Sequence, residues 1–513
     1  MTFVPPEQLN IADYFLVERL REGRGGRVAL RSDDRTWSYD HVAVHALRFR
    51  KALSDIGLRR DERVLLALPD GIDFAGAFFG VLHAGAVVVM VNPQLKAHNL
   101  ARLMDYTGAS TAIVHAEDLE RVEEALSGAT NRPQLLVVAG ESEAHPAFDP
   151  EGPAPEAEVF PTHRDDPAIW LFSGGTTGLP KAVVQTHQSF AYTTECYAKQ
   201  ALAYCEDDIT LSVPKLFFGY ATGSNLLFPF SVGGSAIVFP EHPTADVLFE
   251  KIRRHRPTIL INVPKMINQM VAHPDADRQD LSCLRFATSA GEALPVPLYE
   301  QWKERFGVEL LDGLGTAEMW HVFVSNVPGD VRPGTLGRVI DGFEIQVLND
   351  DGNPVPDGEP GRLWVRGGAR ALCYWRNMQR TQEAFRGEWF VGGDLVQRDS
   401  DGYITYCGRS DDVLKVGGKW LAPQEVESCL MGHPAVRECA VIGAQGEQGL
   451  TQPVAFVVSE SHDEDLPETL KQYVLHHLEA YKHPRQVYVV EDFPRTHLGK
   501  VDRGELKRRA ENG

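Results

Sequence analysis

The sequence predicts an α/β protein: a large N-terminal domain of parallel α/β subdomains that includes a β-rich subdomain, followed by a small, mobile α+β C-terminal domain. Three observations carry this. Strand and helix patterns alternate over residues 1–160. Short strands separated by turn signals fill residues 334–408. The mixed α/β pattern then returns over the tail. At 513 residues the chain exceeds one ordinary core, so at least two folding units are expected.

Taken in order, residues 39–56 show the apolar spacing of an amphipathic helix, and residues 63–68 read as a buried strand. Residues 74–84 fit a helix and residues 86–91 a second strand. Residues 141–167, rich in Pro, Glu and Ala, read as a surface connection, because the alternation resumes directly after them. In the β-rich part the turn signals are Asp350-Asp-Gly-Asn, Asp357-Gly-Glu and Asp399-Ser-Asp-Gly. The tail shows strands at 436–442 and 453–458 and a helix at 466–480. The expected division is residues 1–410, with the β-rich part at about 330–410, and residues 411–513.

Composition narrows the function. With 51 basic and 71 acidic residues the formal charge is -20, which argues against a duplex nucleic-acid binder. A nucleotide is still allowed, since a few local donors can hold one. The 7 cysteines include no CxxC pair, so neither a disulfide framework nor a zinc site is suggested, and reduced cytoplasmic thiols are the simplest account. The first 20 residues lack the pattern of a secretory signal, and no apolar run is long enough to span a membrane.

The most informative segment is Ser173-Gly174-Gly175-Thr176-Thr177-Gly178-Leu-Pro-Lys181, which follows a short apolar strand. Glycines let backbone N–H groups turn inward, hydroxyls add donors, and Lys181 adds charge, so the loop can enclose a polyphosphate. It is not GxxxxGK[ST], because Pro precedes the Lys and no Ser or Thr follows it. A generic Gly-rich turn would be the blander reading, but the residue order here is far more specific.

At this point the chain resembles, over essentially its whole length, the adenylate-forming superfamily of acyl-CoA synthetases, adenylation domains and firefly luciferase. Further segments match in order. Ser289-Ala290-Gly291-Glu292-Ala-Leu-Pro295 resembles the segment along the adenine, and Asp312-Gly313-Leu-Gly-Thr316-Ala-Glu318 the one carrying the magnesium-associated Glu. Glu388-Trp-Phe-Val-Gly-Gly-Asp394 resembles the ribose-binding segment, and Gly408-Arg409-Ser-Asp411 the hinge. Pro494-Arg-Thr-His-Leu-Gly-Lys500 resembles the segment with the catalytic Lys. The resemblance implies ATP, Mg²⁺ and coenzyme A as reactants and cofactor. It also implies that Gly417 and Gly418 lie near the coenzyme A arm, and it is compatible with a homodimer.

Physical reasons support these roles. Asp394 can accept two hydrogen bonds from a ribose diol. Glu318 offers the hard oxygen that Mg²⁺ prefers alongside phosphate and water. Lys500 would neutralise charge as the carboxylate attacks the α-phosphate. One position departs from the family pattern: Ala317 stands where a Thr usually contacts the AMP phosphate, with Thr316 one place earlier.

Within the superfamily the chain is most similar to benzoate-CoA ligase and its aryl relatives. Phe218 stands where many relatives have a gating His. Phe218, Gly219, Tyr220, Trp320 and His321, with Phe217 and Phe323, could enclose a planar apolar acid, although Phe217 and Phe323 could equally belong to the core. The expected activity is ATP-dependent ligation of an aryl or other bulky acid to coenzyme A through acyl-AMP. The alternatives are transfer to a carrier protein, or a degenerate nucleotide- or acyl-binding module, the latter motivated by Ala317.

Overall fold

The computed structural model describes residues 3–173, 180–410, 414–416, 419–445, 451–459, 461, 463–495 and 501–512. Two large sheets dominate the N-terminal part. The seven-stranded sheet runs in the order Cys373–Tyr374, Lys181–Thr186, Pro167–Ser173, Val87–Met90, Arg63–Ala67, Thr111–His115, Gln134–Val138. Its pairs are parallel from Pro167–Ser173 onward and antiparallel at the Lys181–Thr186 edge. The nine-stranded sheet has a parallel centre that includes Phe286–Ser289 and Leu310–Gly315, and antiparallel strands at both edges.

The helices follow from local chemistry. Helix Tyr39–Asp55 starts at Ser38, whose hydroxyl accepts from the His41 N–H, and buries Tyr39, Val42, Ala46, Phe49 and Leu53 at helical spacing. Helix Ile72–His83 is apolar nearly all round, as suits a helix covered on every side, and it packs along Tyr39–Asp55. Both contribute to one core that reaches Val64 and Leu66 of one sheet and Leu30 and Ala236 of the other. Separate apolar clusters cover the far faces of the two sheets.

The β-rich part is a five-stranded antiparallel sheet of Glu344–Leu348, Gly361–Arg366, Phe385–Arg386, Trp389–Arg398 and Ile404–Arg409. Not all of residues 334–408 belong to it. Arg338–Val339 closes the nine-stranded sheet, Cys373–Tyr374 closes the seven-stranded one, and Met378–Ala384 is helical. The β-rich segment thus ties all three sheets together, which turn signals alone do not reveal. The smaller C-terminal domain holds a two-stranded sheet and a three-stranded sheet, with Glu438–Gln445 antiparallel to Thr451–Val458 and the latter parallel to Gln486–Val490. Helices Pro423–Met431 and Leu466–His477 pack on them through their own core, which includes Val426, Leu430 and Leu470. Among the described residues no helix is long and apolar enough to cross a membrane.

Candidate active site

Strands Pro167–Ser173 and Lys181–Thr186 pair so that Ser173 and Lys181 stand opposite each other in the ladder. Residues 174–179 between them, including Gly174, Gly175, Thr176, Thr177 and Gly178, lie outside the described residues. The Lys181 ammonium sits over the Tyr374 ring, 4.7 Å from its centroid. The Tyr374 hydroxyl in turn donates to Glu318 Oε1 at 2.7 Å. Burial and the neighbouring carboxylate push the Tyr374 hydroxyl far above its usual range, so it stays protonated and able to donate. Lys181, Tyr374 and Glu318 thus converge from three segments distant in the chain.

Glu318 is buried in a short turn of 3₁₀ helix, Ala317–Met319. Thr316 caps this turn: its hydroxyl accepts from the Met319 N–H at 3.2 Å. The Ala317 carbonyl is held by the Gln185 side-chain amide at 2.6 Å. Next comes a γ-turn centred on Trp320, at φ 58° and ψ −42°, with the His321 N–H donating to the Met319 carbonyl at 2.8 Å. For a residue other than glycine this backbone costs about 1–3 kcal/mol. It turns the chain between Met319 and His321, and the two flanking side chains have different neighbours: Glu318 meets Tyr374, and His321 meets Tyr220 and Phe228. The returning strand passes so close that a Cβ at Gly315 would lie 2.5 Å from the His321 carbonyl oxygen.

His321 is buried beside Phe228, Tyr220, Trp320 and Tyr197, with ring centroids 4.7 to 5.6 Å away. Burial lowers its pKa to about 4, so it is neutral. Tyr220 bonds Thr288 Oγ1 at 2.6 Å, joining the segment at 218–221 to the end of strand Phe286–Ser289. Phe218 is half-buried and rests on Phe217, and Gly219 packs toward Leu171. Trp320 is packed on Phe190, and Phe323 lies in the core near Phe343, so of the aromatic residues singled out in the sequence these two are the most enclosed.

Ala290, Gly291 and Glu292 follow strand Phe286–Ser289: Ala290 is buried, whereas Gly291, at φ 92°, and Glu292 are exposed. Asp312 stands beside Ser289 in the parallel ladder, with Gly313 next to it. Burial raises the Asp312 carboxyl to about 7, and its Oδ1 has no hydrogen-bond partner among the described residues. On the β-rich sheet Asp394 is buried, Tyr406 donates to its Oδ1 at 3.3 Å, and Arg409, opposite it in the ladder, comes within 3.6 Å. Lys500, Asp411, Gly417 and Gly418 lie outside the described residues.

Sequence reasoning missed Tyr374, Gln185 and Tyr406. None belongs to a contiguous motif, and each acts on a residue far away or across a ladder; a lone Tyr or Gln carries no signal that would have singled it out.

The family follows from comparison with known proteins. Residues 17–375 match the model of the AMP-binding enzyme family and residues 425–500 the AMP-binding enzyme C-terminal domain, so the chain belongs to the AMP-binding enzymes and has the adenylate-forming fold. Among individual relatives, it is 38% identical to a benzoate–CoA ligase of Thauera aromatica over 98% of this chain and 96% of that protein. A solved anthranilate CoA ligase in complex with anthranoyl-AMP matches with TM-score 0.94 and 36% identity, covering 99% of this chain and 98% of that one. A benzoate CoA ligase from Burkholderia xenovorans LB400 matches with TM-score 0.89 and 38% identity, covering 97% and 99%.

Proposed function

We propose that this chain joins an aryl carboxylic acid to coenzyme A in two steps: ATP converts the acid to acyl-AMP with release of pyrophosphate, and the thiol of coenzyme A then displaces AMP. The observation that carries this reading is the convergence of Lys181, Tyr374 and Glu318 next to the aromatic segment containing Tyr220 and His321. A cation for phosphates and a buried carboxylate for a metal thereby lie close in the chain or the fold to a cluster of aromatic rings suited to a flat acid. The names of the benzoate and anthranilate ligases point to the same class of acid, and the solved relative with anthranoyl-AMP points to the same intermediate.

In this reading Lys181 and the hydroxyls of the loop starting at Ser173 hold the phosphates, and Asp394 takes the ribose diol with Tyr406 and Arg409 fixing its carboxylate. Ala290, Gly291, Glu292, Asp312 and Gly313 border the nucleotide, and Thr316 supplies the hydroxyl nearest the missing Thr. A hydroxyl can accept from the Met319 N–H and still donate its own proton to a phosphate. Glu318 fits Mg²⁺: among the described residues no three metal-ligating side chains gather, so the ion would rest on this one carboxylate, ATP phosphates and water. That ion would supply charge neutralisation at the phosphates. Lys500 acts on the reacting α-phosphate, Gly417 and Gly418 approach the thiol arm, and residues 411–513 turn about Asp411 between the steps. All 7 cysteines are unpaired, which suits a reducing cytoplasm.

The test is to supply purified protein with ATP, Mg²⁺ and benzoate-type acids, then coenzyme A or a phosphopantetheinylated carrier protein. Aryl-CoA as the main product supports the proposal. Acyl transfer to the carrier with none to coenzyme A would move the function to carrier loading.

A further inference from the structure

Among the described residues of the proposed acyl pocket, Trp320 Nε1 and one nitrogen of His321 are buried without a partner, and His321 is the one that could accept a hydrogen bond. His321 Nε2 lies 3.1 Å from the Tyr220 carbonyl oxygen and 3.1 Å from Ser224 Oγ. A carbonyl only accepts, so Nε2 must carry the ring proton. In the neutral imidazole Nδ1 is then a bare acceptor, and it has no hydrogen-bond partner among the described residues. The geometry separates the two sides of the ring. The Nε2–Cδ2 edge is pressed against the turn at 220–224, where a Cβ at Gly223 would lie 2.5 Å from Cδ2. Nδ1 is on the other side, turned away from that segment. The walls are the rings of Phe228, Tyr220, Trp320 and Tyr197, and His321 is only 3% exposed. Native structures leave few such groups unpaired, and each unpaired one calls for a reason.

Resting on the proposed aryl activity, we infer that His321 selects aryl acids with a hydrogen-bond donor on the ring, a hydroxy- or aminobenzoate, by offering Nδ1 as acceptor to that donor. A plain benzoate would leave Nδ1 unpaired, whereas an OH or NH₂ at the right ring position would complete it. A pocket that hydrogen-bonds a substituent discriminates strongly against the analogue lacking it.

The test is ATP–pyrophosphate exchange by the full chain with benzoate and with the ortho, meta and para isomers of hydroxy- and aminobenzoate. At least one isomer should exceed benzoate in kcat/KM by about tenfold, the scale of one hydrogen bond completed in a buried site. His321→Phe keeps a flat ring and removes the acceptor, so the ratio between that isomer and benzoate should fall toward one. Because the variant can fail to fold, ¹⁵N-histidine NMR of the wild type supplies a second readout: the Nδ1 resonance should move upfield in the complex with the preferred isomer relative to the benzoate complex. Benzoate matching every isomer, a ratio that survives in His321→Phe, or identical Nδ1 resonances in the two complexes would overturn the inference while leaving the aryl activity standing. Exchange with none of these acids would remove both.

Discussion

Tyr374 donates to Glu318 and lies beneath the Lys181 ammonium, so one side chain touches both charged groups of the candidate phosphate site. Removing its hydroxyl leaves Glu318 a buried carboxylate short of a donor, which costs roughly 1.5–3 kcal/mol for a bond to a charged group. Tyr374→Phe should therefore lower kcat/KM for ATP by about tenfold or more, read by acyl-AMP formation under single-turnover conditions; wild-type kinetics would mean that Glu318 is held by other means. Ala317 gives a second residue-scale expectation. The turn that contains it is already capped by Thr316 and pinned by Gln185, so adding a hydroxyl there need not disturb the backbone. Ala317→Thr should change the KM for ATP or the adenylation rate by adding a phosphate donor. Unchanged kinetics across ATP concentrations would assign the contact to Thr316 or to water. The charged residues here were legible because each stands in a contiguous motif. Tyr374 was not, since its partner Glu318 lies 56 positions away in a 3₁₀ turn.

At the level of elements, the hairpin of Trp389–Arg398 and Ile404–Arg409 places Asp394 and Arg409 opposite one another, and Tyr406 reaches back to the same carboxylate. The hairpin thus fixes the Asp394 carboxylate, the group proposed to take the ribose diol. Tyr406→Phe should raise the KM for ATP several-fold, about the worth of one neutral donor to a carboxylate, and leave the KM for the aryl acid unchanged. Parallel increases in both constants would mean that the hairpin itself had moved. Periodicity predicted most elements well: the helix expected at 39–56 is Tyr39–Asp55, and the tail helix expected at 466–480 is Leu466–His477 followed by a 3₁₀ turn at Ala480–Lys482. The γ-turn at Trp320 could not be read that way. Trp is unfavourable at positive φ, so only the surrounding strands, which bring Gly315 against His321, dictate that conformation. The two-residue strands Arg338–Val339 and Cys373–Tyr374 were equally hidden, because they are too short to carry a period and exist only through their partners.

Across the whole molecule, the two half-reactions require different groups at the same acyl carbon. In the proposed reaction adenylation needs Lys500 at the phosphates, and thioester formation needs a path for the thiol. One small domain can meet both needs by presenting two faces in turn. Among the described residues, the contacts between body and tail that such a rotation would break include the Asn268 side-chain amide donating to the Arg437 carbonyl at 3.1 Å and Lys265 within 3.9 Å of Glu438. Both involve exposed or partly exposed side chains and are worth little individually. A hinge must absorb a large φ/ψ change, so fixing φ at position 411 should trap one arrangement. Asp411→Pro should impair thioester formation from supplied acyl-AMP much more than it impairs acyl-AMP synthesis; equal loss in a folded variant would count against the hinge.

The central claim is that this chain makes aryl-AMP, and isotope exchange between pyrophosphate and ATP tests it most directly because it needs no coenzyme A and no second step. With Mg²⁺ and a benzoate-type acid the wild type should catalyse exchange that depends on the acid. Lys500→Ala, which removes the charge proposed to stabilise the developing transition state, should slow it by roughly a hundredfold or more while leaving thioester formation from supplied acyl-AMP largely intact. No acid-dependent exchange by the folded wild type, or exchange by Lys500→Ala at the wild-type rate, would contradict the account.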